Sequence, residues 1–221
     1  MFLTKLTINV RSREFRRDFG NVHDMHRTIM SAYPNPEDGA PARQAHAILW
    51  RLEPTQVGYI QLIQSRTEPD WNQLPPAHLT RPAEVRSIQP ILDAIRPGRK
   101  LAFRLLANAT QDTRPHRTKG ETVRVALRTP EDQIGWLIRK GERHGFVIPT
   151  AHNGAPDVAP TPIPRLIGRK RPAGTITIDA VRFDGHLIIT DPEAFTEALT
   201  NGIGRAKAYG CGLLTLAPHR S

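Results

Sequence analysis

The chain has 221 residues, 38% of them hydrophobic and 24% charged, which is enough apolar sequence to bury a sizeable core. No run of about 18 apolar residues occurs, so we exclude a membrane-spanning helix. The single cysteine, Cys211, excludes a disulfide framework, and no Cys/His cluster has the spacing of a zinc site. The initial segment MFLTKLTINV is too short and too strand-like for a secretory signal, so we expect a cytoplasmic protein.

The charge of the chain is strongly basic. Lysine and arginine number 31 against 21 aspartate and glutamate residues, a formal net charge of +10, and only six of the 31 are lysine. The planar fork of arginine suits phosphate and base-edge contacts, whereas lysine offers a point charge. The excess therefore predicts a polyanionic partner, of which nucleic acid fits best. A contribution to solubility alone is the alternative.

Hydrophobic periodicity and turn residues divide the first half of the chain into a β-α-β-β-α-β series. Asn21 is a plausible helix N-cap, and Pro34 and Pro36 stop the helix that it begins. The predicted elements are a strand at 2–10, a helix at 21–32, strands at 45–52 and 57–64, a loop at 67–86, a helix at 87–94 and a strand at 100–107. This order is that of the ferredoxin-like unit.

The second half repeats the pattern with longer connections. Thr129 and Asp191 each precede a proline and acidic residues, which indicates two helix starts. The predicted elements are a strand at 122–127, a helix at 129–143, a short strand at 145–149, a basic Pro- and Gly-rich connection at 150–174, a hairpin of strands 175–183 and 186–190 about Asp184-Gly185, a helix at 191–199 and a strand at 213–216. We therefore predict an α+β protein of two tandem ferredoxin-like (RRM-like) domains, residues 1–96 and 97–221.

A glycine-rich loop lies near the C-terminus, with the sequence GIGRAKAYGCGLL from position 202. Glycine frees the backbone to adopt positive φ and to approach a ligand closely. Cations among exposed N–H groups would make a phosphate cradle. The residues of this predicted cradle are Gly202, Gly204, Arg205, Lys207, Gly210 and Gly212. The spacing matches neither a P-loop nor a dinucleotide fingerprint, and a flexible helix-to-strand connection is the alternative.

The run GIGRAKAYGCGLLTLAP resembles the last loop and strand of the CRISPR-associated repeat-processing endoribonucleases, in particular the CasE (Cse3) subgroup that serves the Cascade complex of type I-E systems. The segments MFLTKLTINV, RRDFGNVHDMHRT, LWRLE and SRTEPDW resemble the N-terminal part of that subgroup in order and spacing. The segments LAFRLLANAT and TPEDQIGWLIRK are similar to the first strand and helix of its second domain.

The resemblance implies a concrete function. Members of the subgroup are built from two ferredoxin-like folds and bind the stem-loop of the CRISPR repeat transcript. They cut once, at the 3′ base of the stem, without metal or other cofactor. The 2′-hydroxyl attacks the adjacent phosphate and leaves a 2′,3′-cyclic phosphate and a 5′-hydroxyl. The enzyme then stays on the mature crRNA as a subunit of Cascade.

The resemblance also places His26 at the catalytic histidine of the subgroup. Histidine supplies a proton-transfer group with a pKa near neutrality. Positions 23, 26 and 27 share one face of a helix, so His23, His26 and Arg27 could converge on one phosphate, with Arg27 stabilising negative charge. Some relatives carry tyrosine at position 23. His23 could therefore be the second proton-transfer group, a phosphate ligand or a bystander.

Basic residues outside the glycine-rich loop are the other candidate RNA ligands. The subgroup places a basic hairpin or loop against the RNA stem, and A-form duplexes are held largely through backbone and shape. The corresponding residues here are Arg165, Arg169, Lys170 and Arg171. A weaker cluster comprises Arg104, Arg114, Arg117 and Lys119. A solvated charge run is the alternative interpretation of the first group.

Two other functions remain open at this point. The protein could bind its RNA hairpin without cutting it and cap a ribonucleoprotein complex, because the sequence does not fix where the 2′-hydroxyl lies relative to His26. It could also be a two-histidine phosphodiesterase, since His26-Arg27-Thr28 and His116-Arg117-Thr118 are both H-x-T motifs. Such motifs belong on paired strands, whereas the first of these lies in a predicted helix.

Overall fold

Two antiparallel sheets organise the chain. The computed structural model describes residues 1–36, 39–113, 122–170 and 174–219, together with the backbone but not the side chain of Lys170. Strands between residues 2 and 87 form the first sheet. Of the described strands between residues 100 and 218, five form the second sheet and four others form two separate two-stranded sheets. In the described ranges no helix is long and apolar enough to cross a membrane.

The first sheet has the strand order β2-β3-β1-β4, which is that of a ferredoxin-like unit. Its elements in chain order are β1 (Phe2–Ile8), α1 (Arg13–Phe19), α2 (Val22–Met30), α3 (Ala42–Ala45), β2 (Leu49–Thr55), β3 (Gly58–Ser65), a 3₁₀ turn (Trp71–Gln73), β4 (Glu84–Ser87) and α4 (Gln89–Asp93).

The fourth strand of this sheet corrects the sequence prediction, which has residues 67–86 as loop and residues 100–107 completing the unit. Instead, β4 pairs with β1, with Val85 opposite Thr4. The strand is short and follows a Pro-rich segment, so its hydrophobic alternation is too brief to recognise. Residues 100–107 form a strand as predicted but belong to the second sheet.

The helix that carries the histidines is held by its cap and its apolar face. The side chain of Asn21 accepts a hydrogen bond from the backbone N–H of His23 at 3.3 Å, as expected of an N-cap. Met25 and Ile29 are buried in the core of the first sheet with Leu6 and Ile63. Because residues 23 and 26 lie off this buried face, the fold turns both histidines away from the core.

The second sheet has the order β13-β5-β12-β8, again ferredoxin-like, with β9 also paired to β12. Its elements are β5 (Lys100–Ala107), β6 (Thr110–Thr113), β7 (Val123–Ala126), α5 (Pro130–Arg143), β8 (Phe146–Val147), β9 (Val158–Pro162), β10 (Leu166–Lys170), β11 (Gly174–Ile178), β12 (Val181–Ile189), α6 (Pro192–Asn201), a 3₁₀ turn (Lys207–Tyr209) and β13 (Leu214–Pro218). Strands β6 and β7 pair with each other, as do β10 and β11. The predicted boundary at 96/97 lies between α4 and β5 and stays a prediction.

The hairpin predicted about Asp184-Gly185 is wrong. Strand β12 runs straight through both residues and pairs with β5. A Cβ at Gly185 would lie 2.3 Å from the backbone oxygen of Asp157, so this glycine serves close approach of two chains instead of a turn. The hairpin of this region is β10–β11: β10 lies inside the segment 150–174 expected to be a connection, and β11 lies mostly in the predicted strand 175–183.

Both predicted helix starts in this half are confirmed. The hydroxyl of Thr129 accepts from the N–H of Asp132 at 3.2 Å. The carboxylate of Asp191 accepts from the N–H groups of Glu193 and Ala194 at 3.0 and 3.1 Å. These caps satisfy donors that the first helical turn leaves free, so α5 and α6 begin where the sequence indicates.

Arg51 joins the two sheets. Its side chain is 2% exposed. One terminal nitrogen, Nη1, donates to the carbonyls of Arg104 in β5 and Leu213 just before β13, at 3.2 and 2.9 Å. The other, Nη2, donates to Thr215 Oγ1 in β13 at 2.7 Å, and Nε donates to Glu53 at 2.7 Å. Strand β2 of the first sheet is thereby tied to two strand segments of the second.

We predict that Arg51→Met lowers the free energy of unfolding by about 3 kcal/mol, because it leaves Glu53 Oε1, two backbone carbonyls and Thr215 Oγ1 without their shared donor. Urea denaturation followed by circular dichroism measures the change. Arg86→Met is the matched control, since Arg86 is exposed on β4, the sheet edge opposite β2. Equal unfolding free energies for the two variants would contradict the role of Arg51.

Candidate active site

His23 and His26 lie half-buried on α2. Among the described residues, Nδ1 of each ring is buried and has no hydrogen-bond partner. The ring of Tyr209 stands beside His23, with 6.5 Å between ring centroids. The histidine helix thus lies against the glycine-rich loop, with His23 beside Tyr209 of that loop.

His26 is neutral at neutral pH in the free protein. Burial lowers its pKa to about 4, with smaller contributions from the positive charges of His23 and Arg43. Burial and neighbouring cations both disfavour the imidazolium form. A neutral imidazole can accept a proton, and an anion bound nearby would raise the pKa towards neutrality.

Arg43 and Lys207 extend the positive charge away from His26. Burial lowers the pKa of Arg43. Burial lowers that of Lys207 as well, and the nearby charges of Arg43 and Lys140 lower it further. In the part of the chain that the structure describes, neither Arg43 nor Lys207 has an ion-pair partner. We call His26, Arg43, Lys207 and Lys140 the cationic arc.

Further basic groups flank the far end of the cationic arc. Burial lowers the pKa of Lys140, followed by repulsion from Arg143 and Arg205. His144, which caps the end of α5, also has its pKa lowered, first by burial and then by Lys140 and Lys207. Partly desolvated cations that repel one another are the electrostatic signature of a site for an anion.

The glycines of the C-terminal loop serve packing more than a backbone cradle. Gly202, Gly204, Gly210 and Gly212 all have positive φ. A Cβ at Gly210 would lie 3.0 Å from the ring of Trp50, and one at Gly202 would lie 2.6 Å from Leu49. The N–H groups of Gly202 and Gly212 donate within the protein, to Ala198 and Leu106. The loop therefore contributes cations at the site, with Lys207 half-buried and Arg205 exposed.

The β10–β11 hairpin stands on the N-terminus of α2. The N–H of Arg169 donates to the side chain of Asn21 at 2.8 Å. Gly168 makes the close approach possible, because a Cβ there would lie 3.3 Å from Val22 and 3.9 Å from the Cβ of His23. The hairpin thus continues the basic surface on the other side of the histidines.

The structure separates the predicted basic residues into two groups. Arg104 pairs with Glu53 and Asp184 between the sheets, and Arg165 pairs with Asp179 at 2.6 Å. Arg169 and Arg205 are exposed and have no carboxylate partner among the described residues. Arg27 is exposed and faces Asp24, 3.8 Å away. The side chain of Lys170 and the residues Arg171, Arg114, Arg117, Lys119 and His116 lie outside the described residues.

Arg43 has no counterpart in the sequence predictions. It lies in a four-residue helix, which is too short to be predicted from hydrophobic periodicity. Along the chain, 17 positions separate it from His26. No motif surrounds it, so only the folded structure places it beside the histidines. Within the described ranges, no group of three or more His, Cys, Asp or Glu residues could hold a metal ion.

An apolar cleft of about 590 Å³ lies between the two sheets and is separate from the cationic arc. Its walls include Phe19, Met25, Tyr59, Ile163 and Leu166. It contains Arg51 and Arg104, both already paired with carboxylates, and none of the histidines. The arc combines His26 with cations that have no ion-pair partner among the described residues, so the arc is the candidate active site.

Tandem ferredoxin-like folds that carry a basic hairpin and a cationic arc fit the class of nucleic-acid-binding proteins. The family model described as CRISPR associated protein matches residues 1–218. The chain therefore belongs to this CRISPR-associated family.

Two curated relatives are similar over their full length. The chain is 36% identical to the CRISPR-associated endoribonuclease Cse3 of Thermus thermophilus over 225 residues, covering 99% of this chain and 100% of that protein. It is 30% identical to the CRISPR system Cascade subunit CasE of Escherichia coli over 227 residues, with the same coverage.

Solved structures of related proteins are also similar to this chain. A structure of CRISPR endoribonuclease Cse3 bound to a 19-nucleotide RNA has a TM-score of 0.82 at 35% identity, covering 99% of this chain and 100% of that one. Thermus thermophilus Cse3 bound to an RNA representing a pre-cleavage complex has a TM-score of 0.78 at 35% identity, covering 98% of each chain. A chain of a CRISPR RNA-guided surveillance complex has a TM-score of 0.69 at 27% identity, covering 99% and 100%.

We predict that the imidazole of His26 titrates with a pKa of about 4 in the free protein, because burial and two neighbouring cations oppose its protonation. Nuclear magnetic resonance of the ring Cε1 proton measures this midpoint, with a His26→Asn variant assigning the signal. Added inorganic phosphate should raise the midpoint, since an anion favours the charged ring. A midpoint near the ordinary histidine value of about 6.5 without phosphate would contradict the described environment.

Proposed function

We propose that this protein is a metal-independent endoribonuclease that binds the CRISPR repeat stem-loop, cleaves it at the 3′ base of the stem and stays bound to the mature crRNA. The cationic arc is the observation that carries the proposal. In the described part of the chain, Arg43 and Lys207 have no ion-pair partner, and Arg43 acts on the neutral His26 and on Lys207, which combines anion binding with proton transfer at one place. The similarity to proteins named CRISPR endoribonuclease Cse3, over nearly the whole chain, supports it.

The proposed reaction is an internal transesterification. The 2′-oxygen of the nucleotide upstream of the cut forms a bond to the adjacent phosphorus, and the bond from phosphorus to the 5′-oxygen breaks. The proton of the 2′-hydroxyl leaves to a base, and the 5′-oxygen receives a proton. The products are a 2′,3′-cyclic phosphate and a 5′-hydroxyl, so atoms and charge balance without any other reactant.

His26 is the proton-transfer group of this scheme. Its imidazole is neutral before RNA binds, so it can accept the 2′-hydroxyl proton. The bound phosphate then raises its pKa and makes the protonated form more accessible. His23 lies one turn earlier and acts on His26 through its charge, which fits a phosphate ligand or a second proton-transfer group. Arg27 lies farther out, at the exposed rim.

The RNA stem lies against the β10–β11 hairpin in this proposal. The hairpin is docked on the N-terminus of α2, so a stem held there places its base beside the histidines. Residues 1–96 and 97–221 act as two domains that clasp the RNA between the hairpin and the cationic arc. Similarity to the Cascade subunit CasE supports other Cascade subunits as partners. Because the substrate is a transcript, we place the protein in the cytoplasm.

The proposal predicts one cut in a labelled repeat-hairpin RNA from its own locus, in the presence of EDTA. The product should end in a cyclic phosphate, and an RNA with a 2′-deoxy substitution at the cut should remain whole. His26→Ala should lower the single-turnover rate by at least about 100-fold, because a positioned acid–base group contributes that much. Denaturing gel electrophoresis measures both results.

Other outcomes of that assay separate the rival functions. Tight binding without cleavage in either RNA would contradict the enzyme and leave a subunit that caps an RNA hairpin. Loss of activity in His116→Ala would favour the two-histidine phosphodiesterase. Absence of binding even at low salt would contradict the proposed substrate altogether.

We also predict that Arg169→Ala weakens binding to the 2′-deoxy repeat hairpin about fivefold, whereas Arg165→Ala has a smaller effect. Both side chains are exposed on the same hairpin, but Arg165 is already paired with Asp179, so less of its charge is available to RNA phosphates. Filter binding across a salt series measures this, and losing one phosphate contact reduces the salt slope by about 1. Equal effects of the two variants would contradict the assignment.

A further inference from the structure

The backbone of Arg43 is fixed by packing and hydrogen bonds around α3, and its side chain has no ion pair among the described residues. The helix α3 that carries it is followed by His46, whose ring lies between Thr67 Oγ1 at 2.8 Å and the carbonyl of Pro34 at 2.9 Å. The same ring stacks on Tyr33. The backbone of Arg43 also accepts from the N–H of Ile48 at 2.9 Å. The contacts of His46 with Pro34 and Tyr33 thus pack the end of α3 beside the end of α2, the helix of His26, and the charge of Arg43 acts on His26.

Arg51 provides an internal comparison. Both arginines lose hydration, and burial lowers the pKa of each. The guanidinium of Arg51 has Glu53, two carbonyls and a hydroxyl as acceptors. For Arg43, the charges that the structure describes nearby are His26 and Lys207, both on the positive side. The half-buried guanidinium of Arg43 has no side-chain or carbonyl acceptor among the described residues, so a bound anion would supply acceptors that the described protein groups do not.

We propose that Arg43 is a further catalytic residue, whose guanidinium binds the non-bridging oxygens of the phosphate on which His26 acts, with Lys207 beside it. This inference rests on the proposed endoribonuclease function. During attack by the 2′-oxygen, the phosphate group passes from one negative charge towards two in the phosphorane. Arginine stays protonated and offers a planar fork, so it stabilises this charge without taking part in proton transfer.

The arrangement divides the chemistry between neighbouring groups. His26 moves protons, while Arg43 and Lys207 supply fixed positive charge where negative charge develops. Interactions of this kind accelerate a reaction when they are stronger in the transition state than with the substrate. Arg43 should therefore affect the cleavage rate at saturating RNA more than it affects the affinity for uncut RNA.

The first test compares Arg43→Met, Arg43→Gln and Arg43→Lys with the wild-type protein in single-turnover cleavage at saturating repeat-hairpin RNA. We expect Arg43→Met and Arg43→Gln to cut about 100-fold more slowly, the loss typical of one oxyanion donor. Arg43→Lys keeps the charge and should recover part of the rate. Affinity for the 2′-deoxy hairpin should fall less than tenfold. Two neutral variants of different shape keep the test independent of the folding of either one.

The matched control is Arg86→Met, which removes one exposed arginine from β4, at the sheet edge opposite the strand that contacts the Lys207 segment. Its cleavage rate should stay within about twofold of wild type. A second readout is the pKa of His26 in the free protein, which should rise in Arg43→Met because a repelling charge has gone. A residue that only supports the fold would not produce this shift.

Three results would overturn the inference. Cleavage by Arg43→Met or Arg43→Gln within threefold of the wild-type rate would remove the catalytic role. A loss confined to affinity, with a normal rate at saturation, would make Arg43 a binding residue only. An unchanged pKa of His26 in both neutral variants would show that the charge of Arg43 does not act on His26. Failure of the wild-type protein to cut the RNA would instead contradict the proposed function, independently of Arg43.

Discussion

The buried guanidinium of Arg51 is the contact on which the geometry of the site depends. It ties β2 of the first sheet to backbone and side-chain acceptors of the second. The same strand carries Trp50, whose Nε1 donates to the carbonyl of Ala208 at 3.2 Å, next to Lys207. Helices α2 and α3 lie in the half of the chain that forms the first sheet, and Lys207 lies in the half that forms the second. The contacts of Arg51 therefore set the distance between the histidines and the lysine. Because the two sheets are joined through a desolvated charge, they have little freedom to slide past each other.

The cations of the cationic arc differ from Arg51 in having no carboxylate partner among the described residues. Arg51 shows what this fold does with a buried arginine that serves structure, surrounding it with acceptors. The cationic arc does the opposite, since it leaves Arg43 and Lys207 without carboxylates among the described residues and allows repulsion to accumulate. The free protein bears this cost, and in the proposed mechanism a bound phosphate would offset it. The same electrostatics keep His26 neutral in the free protein.

Local signals in the sequence predicted the parts of this account that depend on local physics. The caps at Asn21, Thr129 and Asp191 and the apolar alternation of most strands identified the helices and sheets. The dipeptide Asp184-Gly185 led to the wrong prediction of a hairpin, because its glycine can equally permit a close approach of two chain segments in a continuous strand. His26 was predicted from the resemblance and its residue type, and its role stays a prediction. Arg43 was not predicted, because its proposed role depends on the absence of acceptors among the described residues around it, and no periodicity or motif encodes such an absence.

A crystal structure of the protein with a 2′-deoxy repeat hairpin tests the central claim most directly, because the uncut RNA reports where the reacting phosphate lies. We predict that the phosphate at the 3′ base of the stem lies within hydrogen-bonding distance of the His26 ring and of the Arg43 guanidinium, with the stem against the β10–β11 hairpin. A stem base bound at another surface, with no RNA phosphate in contact with His26, would contradict the account.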